Sequence, residues 1–300
     1  MNARFLEIEI TGNCLYKCRH CYGDFPQKGA LSLETIRNVI DEAKGLFDCL
    51  IFSGGEPFLH PDLPAMVQEA AKDFLVFITT SGYPVFDEAL QAIKHKSILV
   101  FGLDGIGDTH DRYRGYPGAY KNLLQTLDRT RDMPKEIIVT LWKGVLPQID
   151  AIIKLCARHN AIVHFNGLIP VGRAKKSLDI LPDVHELEKV HMKLHQLKMQ
   201  GGSVVTDLHK IIEKDKQEGI DLFCRNRFNI TPRGDVRPCE FHTAVLGNIY
   251  NESLKEIILR SQQCFLMRQR EQGFKDHIRL DLENPFDYHT SICHTLPCSR

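Results

Sequence analysis

Cys14-Leu15-Tyr16-Lys17-Cys18-Arg19-His20-Cys21 sets how the rest of the chain is read. These residues put three thiols in a C-x3-C-x2-C array directly after Phe5-Leu6-Glu7-Ile8-Glu9-Ile10, where apolar residues alternate through Leu6, Ile8 and Ile10. Alternation of that kind predicts a β-strand. The thiols then fall on the loop at its carboxyl end, where α/β barrels gather their chemistry. Three thiols so close together are spaced for metal rather than for a core. Structural zinc takes four ligands, usually as two separated pairs, whereas an iron–sulfur cube held by three thiolates leaves one iron free to bind something else. A count of three favours the cube.

The chain has 300 residues, 43% hydrophobic and 25% charged, which suits one barrel-sized core and a smaller appendage. Basic and acidic residues balance at 38 each and the pI is 7.2, so no broad field recommends nucleic acid or an acidic membrane as partner. No apolar run reaches the roughly 18–20 residues of a bilayer span. The first strand begins almost at Met1, leaving no room for a signal peptide, and a cytoplasmic protein is expected. In such a chain ten cysteines read as metal ligands before disulfides. There is no internal repeat or low-complexity tract.

Beyond the cysteine loop the pattern alternates. Ser32 could cap a helix reaching about Gly45, with Leu33, Ile36, Val39, Ile40 and Ala43 on one face. Cys49-Leu50-Ile51-Phe52 reads as a buried parallel strand and runs at once into Ser53-Gly54-Gly55-Glu56-Pro57. A double glycine lets backbone approach a ligand closely, and the adjoining carboxylate can hold an ammonium group; taken alone, the same residues also fit an ordinary strand-to-helix turn. Helices around 62–72 and 86–94, strands at 75–79 and 98–103, a helix near 120–131, strands at 136–142 and 161–165 and a helix at 149–158 complete six β-α units before residue 170. Polar strand-end loops recur at Thr80-Ser81-Gly82 and Asp104-Gly105.

These motifs, in this order, resemble the radical S-adenosylmethionine (radical SAM) enzymes. Cys14, Cys18 and Cys21 match the cluster loop, with His20 and Tyr22 flanking the last thiol as cofactor-binding residues, and Gly54, Gly55, Glu56 and Pro57 match the element that holds the amino group of S-adenosylmethionine. Thr80, Ser81 and Gly82 resemble the ribose-binding Thr-Asn-Gly turn, with Ser81 in place of Asn. Asp104 and Gly105 resemble Ser-Leu-Asp-Gly, with Gly102 in place of Ser. The stretch from Asp104 to Arg114 and Gly115 is similar to the subgroup with a SPASM or twitch extension, and Arg114 is taken as a cofactor-side residue. Read from the residues, Arg112-Tyr113-Arg114-Gly115 could clamp a carboxylate or form a solvated loop. Ile169-Pro170-Val171-Gly172-Arg173 resembles a Pro-x-Gly-Arg stretch of relatives acting on peptides, haem precursors and small molecules; Arg173 is an active-site candidate, with a loop charge as the alternative.

A helix is expected over 184–200. Its His185, His191 and His195 read as a solvated face rather than a zinc site, because no His-Glu-x-x-His and no third ligand accompany them. Gly201-Gly202 breaks it, and a second helix, 208–217, leads to the tail. There Phe228-Asn229-Ile230-Thr231, the turn Pro232-Arg233-Gly234-Asp235 and Val236-Arg237-Pro238-Cys239 predict a hairpin that draws Cys224 and Cys239 together. With Leu246-Gly247-Asn248-Ile249 and a helix from Ser253, this is closely similar to the opening of a SPASM or twitch domain. The resemblance implies one auxiliary cube on Cys224, Cys239, Cys293 and Cys298. Cys264 is read as packed, though able to replace a terminal thiol, and Cys49 and Cys156 as core cysteines. Glu240 and His242 could face the cavity, with structural roles favoured.

The expected fold is therefore α/β: a partial (β/α)6 TIM-like barrel over 1–180, a helical bridge over 181–220 and a small hairpin-plus-helix iron–sulfur domain over 221–300. The resemblance implies reductive cleavage of S-adenosylmethionine, hydrogen abstraction from substrate, and two [4Fe–4S] clusters, the auxiliary one accepting an electron in an oxidation or bond-forming modification of a ribosomal peptide or small molecule. It also implies a one-electron reductant such as flavodoxin or ferredoxin and, for a peptide, a separate recognition protein. The competing readings are a small-alcohol dehydrogenase or cofactor-maturation enzyme of the same family, and an iron–sulfur electron carrier or redox sensor, which would not need the Gly-Gly-Glu loop.

Overall fold

The computed structural model describes residues 3–23, 29–206, 208 and 227–261. Ten strands form a single sheet in the order β10-β9-β8-β1-β2-β3-β4-β5-β6-β7. Seven of them follow the chain and run parallel: β1 (Phe5–Thr11), β2 (Cys49–Gly54), β3 (Leu75–Thr80), β4 (Ile98–Gly102), β5 (Lys135–Leu141), β6 (Ile162–Gly167) and β7 (Val204–Thr206). The helices between them are α1 (Leu33–Ala43), α2 (Leu63–Ala70), α3 (Asp87–Ile93), α4 (Asp108–Arg114), α5 (Ala119–Arg129), α6 (Ile149–Arg158) and α7 (Val184–Met199). This is the α/β architecture read from the sequence, an open barrel of β-α units.

Local chemistry accounts for the elements. Ser32 Oγ accepts from Thr35 N at the start of α1, whose Ile36, Val39, Ile40 and Ala43 are buried against the sheet. Asp183 and Glu186 close a capping box on α7. That helix buries only Val190 and Leu194, which leaves His185 and His195 in solvent as expected.

Two elements differ from expectation. The polar stretch after Asp104 is not a loop: α4 starts at the positive φ of Gly107 and stops at Gly115 in the left-handed region. A seventh parallel strand, β7, follows Gly201-Gly202 and pairs with β6. The expected helix over 208–217 lies outside the described residues apart from Leu208.

The hairpin of β8 (Arg227–Ile230) and β9 (Asp235–Arg237) forms, and β9 also pairs antiparallel with β10 (Gly247–Asn248). The chain is helical again over 254–261. The hairpin is not set apart from the barrel, because β8 runs parallel beside β1, Phe5 opposite Arg227 and Glu7 opposite Asn229. One sheet thus carries both halves of the sequence.

The two faces of the sheet differ. Leu6, Ile8, Ile10, Leu50, Phe52, Ile137, Val139, Phe228 and Ile230 pack with the helices in one hydrophobic core. The opposite face carries Glu7, Glu9, Ser53, Arg227 and Asn229 by register, and in β5 the alternate residues Glu136, Ile138 and Thr140 are only partly buried. The concave side of the barrel therefore carries polar side chains, of which Glu7, Glu9, Ser53 and Asn229 are buried.

Candidate functional site

Cys14, Cys18 and Cys21 occupy the loop after β1, held by backbone from three sides. Lys17 N and Arg19 N donate to the carbonyls of Arg114 and Tyr113 at the end of α4 (3.1 and 2.9 Å), and Arg173 N donates to Cys21 O (2.9 Å). Gly172 permits that last approach: it has φ +55°, and a Cβ there would lie 2.4 Å from Cys21 O. Aromatic rings gather around the loop, with Tyr16 stacked on Tyr116 and Tyr83 beside it, forming a small apolar shell around Cys18 and Cys21.

Cys14 is open to solvent and Cys18 is buried. Desolvation raises the Cys14 thiol to about 12, and the negative fields of Cys18, Glu56 and Cys21 add to it, so the three sulfurs and the Glu56 carboxylate stand within electrostatic reach. Burial likewise raises Cys18, opposed by Arg114, whose Nη1 lies 3.8 Å from the sulfur. Among the described residues no group of three or more His, Cys, Asp or Glu converges on a single-ion site. Three thiols on one loop, with no single-ion ligand group among the described residues, suit a multi-iron cluster. Cys239 is buried beyond β9; Cys224, Cys264, Cys293 and Cys298 lie outside the described residues. Cys49 and Cys156 are buried in the core as read.

The Gly54-Gly55-Glu56-Pro57 loop is bound to the backbone that leads into the cysteines. Gly55 N donates to Thr11 O and Glu56 N to Asn13 O, both at 2.7 Å. A Cβ would lie 2.3 Å from Thr11 O at Gly54, where φ is +125°, and 2.1 Å from Asn13 O at Gly55. The close approach that two glycines permit is therefore to this neighbouring backbone. The Glu56 side chain has no solvent exposure. It accepts from Thr80 Oγ1 (2.7 Å) and Phe58 N (3.3 Å) on one oxygen and from Ser81 N (2.8 Å) and Ser81 Oγ (2.6 Å) on the other. Burial raises its carboxyl pKa, and those donors oppose the rise. Glu56, Thr80, Ser81 and Gly82, read separately from sequence, thus form one hydrogen-bonded unit; Gly82 N donates to Thr80 Oγ1 and Gly82 O accepts from Thr126 Oγ1.

Asp104 is also without solvent exposure. Burial pushes its carboxyl up, but the Arg114 guanidinium at 2.8 Å, His20, His110 and the Thr140 N–H together outweigh that and hold it below the usual range. Thr140 N donates to its Oδ1 at 2.9 Å, and His20 Nδ1 lies 3.9 Å from its Oδ2. Burial lowers His20 to about 4, against the pull of Asp104, so its ring is neutral. That ring stacks on Tyr113, which stacks on Trp142. The carboxylate clamped by Arg114 is thus the chain's own Asp104. Gly102, where the family pattern has serine, gains a physical reason: a Cβ there would lie 1.8 Å from Arg114 Nη2.

A further cluster on the concave face was read in the sequence only at Tyr22 and Glu240. Glu7 accepts from Ser53 Oγ (2.6 Å) and Tyr22 OH (3.1 Å) and is ion-paired with Arg227, whose Nε reaches Glu240 at 3.1 Å. Glu9 accepts from Asn229 Nδ2 at 3.1 Å. Burial and then the nearby Glu7 carboxylate push Glu9 up to about 8; burial also raises Glu240, opposed by Arg227. The available signal was the pair of acidic alternates on β1, since a parallel strand covered on both faces is apolar throughout.

Strand-end cysteines on an open β-α barrel, followed by a glycine-rich loop bound to their backbone, define an iron–sulfur enzyme class, and comparison with known proteins agrees. Residues 8–156 match the model of the radical SAM superfamily, and residues 224–279 match SPASM, an iron–sulfur cluster-binding domain. The chain belongs to the radical SAM superfamily and carries a SPASM-type domain. It is 26% identical to the AdoMet-dependent heme synthase of Methanosarcina barkeri, over 90% of this chain and 86% of that protein. It is 25% identical to the sporulation killing factor maturation protein SkfB of Bacillus subtilis, over 83% of this chain and 63% of that one. Its fold matches Streptococcus suis SuiB bound to S-adenosylmethionine with a TM-score of 0.72 at 15% identity, over 85% of this chain and 65% of SuiB. The chain thus spans about two thirds of SuiB. No helix of the described residues is long and apolar enough to cross a membrane.

Proposed function

We propose that this chain uses a [4Fe–4S] cluster on Cys14, Cys18 and Cys21 to cleave S-adenosylmethionine reductively, then removes a hydrogen atom from a substrate on the concave face in a net oxidation or bond-forming modification. The observation that carries the reading is the joining of the cysteine loop to the Gly54–Glu56 loop through paired backbone bonds at 2.7 Å, which fixes cluster side and cofactor side as one body. When bound, the cluster and S-adenosylmethionine supply a 5′-deoxyadenosyl radical. The protein's part is to bind, orient and exclude water.

In this reading Gly54, Gly55 and Pro57 hold the amino end of S-adenosylmethionine with backbone groups, and the Glu56 carboxylate keeps Thr80 and Ser81 in place. His20, Tyr22, Gly82, Asp104 and Arg114 form the remaining wall. Tyr16, Tyr83 and Tyr116 shield Cys18 and Cys21 from solvent. Cys224, Cys239, Cys293 and Cys298 would hold an auxiliary [4Fe–4S] cluster, which would supply an acceptor for the electron left on the substrate, and a flavodoxin- or ferredoxin-like reductant would supply the first electron.

A peptide substrate is supported by the similarity to SkfB, a maturation protein by name, and by the fold shared with SuiB, which has been crystallised with its precursor peptide SuiA. A second reading, maturation of a small cofactor, is favoured by the similarity to heme synthase over 90% of the chain.

The test is anaerobic reconstitution of wild type and a Cys14→Ala/Cys18→Ala/Cys21→Ala variant, scored by iron content and 5′-deoxyadenosine formation after reduction. About eight irons are expected in wild type and about four in the variant, with 5′-deoxyadenosine from wild type alone. Four irons in wild type, all lost in the variant, would remove the auxiliary cluster. Clusters without cleavage would make the chain an electron carrier.

A further inference from the structure

The ionic cluster on the concave face is not consumed by the chemistry above. It lies between the two cysteine-bearing regions, because Tyr22, bonded to Glu7, directly follows Cys21, and Glu240, paired with Arg227, directly follows Cys239. Within it, Glu7 is fully engaged by Ser53, Tyr22 and Arg227. Glu9 and Asn229 are not. Glu9 accepts a hydrogen bond from Asn229 Nδ2, and Asn229 Oδ1, on a residue with no solvent exposure, meets no donor among the described residues. A buried amide oxygen without a donor costs roughly 1–3 kcal/mol in a finished structure and marks a place where a donor fits.

Charge narrows what the donor is. Glu7, Glu9 and Glu240 are three carboxylates, while Arg227 and Arg237 are the guanidinium groups whose fields reach them. With Glu9 ionised the site is short of one cation, a deficit that a proton on Glu9 makes good while the site is empty. A ligand with N–H groups and positive charge completes Asn229 Oδ1 and balances Glu9 once its proton has left. A carboxylate or phosphate could meet Arg237 Nε, a buried donor also without a hydrogen-bond partner among the described residues, but would leave Asn229 Oδ1 without a donor. The cluster reaches solvent at Arg227, whose side chain is 32% exposed.

We propose that Glu9 and Asn229 anchor a protonated amine of the substrate, with the Glu9 carboxylate and Asn229 Oδ1 as its two acceptors. An ammonium group has three donors and no acceptor, which suits this pair. The proposal rests on the reading that the concave face is the substrate side of a radical SAM enzyme, and it names the substrate class of that site. A lysyl side chain and a free small amine share this chemistry. One consequence distinguishes an ammonium from a neutral amide. Burial leaves Glu9 with a pKa of about 8, so the empty site holds a proton at neutral pH, and an arriving ammonium displaces it.

The experiment is titration calorimetry of the reconstituted full chain at pH 7, in two buffers of different ionisation enthalpy. The probes are n-butylammonium, butyrate, N-butylacetamide, and the tripeptide acetyl-Gly-Lys-Gly-amide with and without Nε-acetylation. Saturable binding of n-butylammonium is expected, with release of about one proton per site, no binding of butyrate, and affinity at least about tenfold weaker in Glu9→Gln matched to wild type by circular dichroism. Tighter binding of the lysyl tripeptide than of n-butylammonium, lost on acetylation, assigns the amine to a peptide; the reverse order assigns it to a small molecule. The proposal is overturned if wild type binds no ammonium, if binding releases no proton, or if Glu9→Gln binds with wild-type affinity. The proton count is read on wild type and stands even if the variant does not fold. Wild-type 5′-deoxyadenosine formation is scored separately: amine binding without cleavage would remove the radical reading and keep this site, and cleavage without amine binding would do the opposite.

Discussion

The cysteine-loop end of the barrel and its concave wall beside β8 both bury carboxylates, but they treat them differently. At the loop end, Glu56 has four donors and Asp104 has a guanidinium and a backbone N–H. On the wall, Glu9 accepts from Asn229, whose own amide oxygen has no donor among the described residues. Glu56 is satisfied before any ligand arrives and so is held rigid, whereas beside it Asp104 is held by its ion pair with Arg114 while Asp104 Oδ2, His20 Nδ1 and Arg114 Nε make no hydrogen bond among the described residues. A site with unmet acceptors is completed by what binds there. Under the proposed function, the contrast would separate the part of the molecule that serves the cofactor from the part that meets the substrate.

The largest test of the loop end is Arg114→Met. It removes the guanidinium from a buried carboxylate and leaves Asp104 with one backbone donor and a neutral His20. Breaking a buried pair from one side costs about 3–5 kcal/mol, to be read as a shift of the urea midpoint of the full chain. The double variant Arg114→Met/Asp104→Leu should regain most of that loss, because two apolar groups need no pairing. A single variant as stable as wild type would mean that Asp104 is not the charged, clamped group the geometry describes.

The next effect has the opposite sign and sits on the wall. The Glu9 pKa rises from an ordinary 4.5 to about 8 in the folded chain. Between those values the folded state holds a proton that the unfolded state has released, so stability falls as pH rises through that window, and the loss is complete above about 8. Glu9→Gln removes that slope. Relative to wild type, the variant should be unchanged near pH 4 and more stable near pH 8 by an amount on the order of a few kcal/mol. Equal pH profiles for the two proteins, measured by urea unfolding, would place Glu9 in a solvated setting and dissolve the contrast with Glu56.

How much of this could be read from residues alone follows from where the information lies in the chain. The cysteine loop and Gly54–Pro57 were legible because their chemistry is packed into short runs at strand ends. The strands were legible because their outer face alternates cleanly, Leu6-Ile8-Ile10 on β1 being the model case. Strand β7 was not, since three residues after Gly201-Gly202 are too few to show a period. Helix α4 was missed because only seven mostly polar residues form it and no side chain caps it. The reason for Gly102 depends on Arg114 folding back over it, a contact that spacing cannot express. Glu7 and Glu9 were in view, but which face of β1 is concave depends on β8, whose Asn229 lies 220 residues away. That pairing also shows why the terminal hairpin, readable as a unit, was not readable as an extension of the barrel sheet.

The smallest expected effect probes how completely Glu56 is satisfied. Ser81 gives it two donors on one oxygen, its N–H at 2.8 Å and its hydroxyl at 2.6 Å. Ser81→Ala deletes the second and leaves the first, while Thr80 and Phe58 continue to serve the other oxygen. Because no acceptor is left without a partner, the cost should be about 1 kcal/mol, near the net value of an ordinary hydrogen bond, and well short of the penalty for an orphaned buried charge. The same deletion should raise the Glu56 pKa further, since one of the donors opposing burial is gone. The variant should therefore lose more stability at pH 8 than at pH 5, and urea midpoints at the two pH values measure the difference. A loss of several kcal/mol would show that the four donors act as one cooperative network; no loss at either pH would show that the backbone N–H alone holds that oxygen.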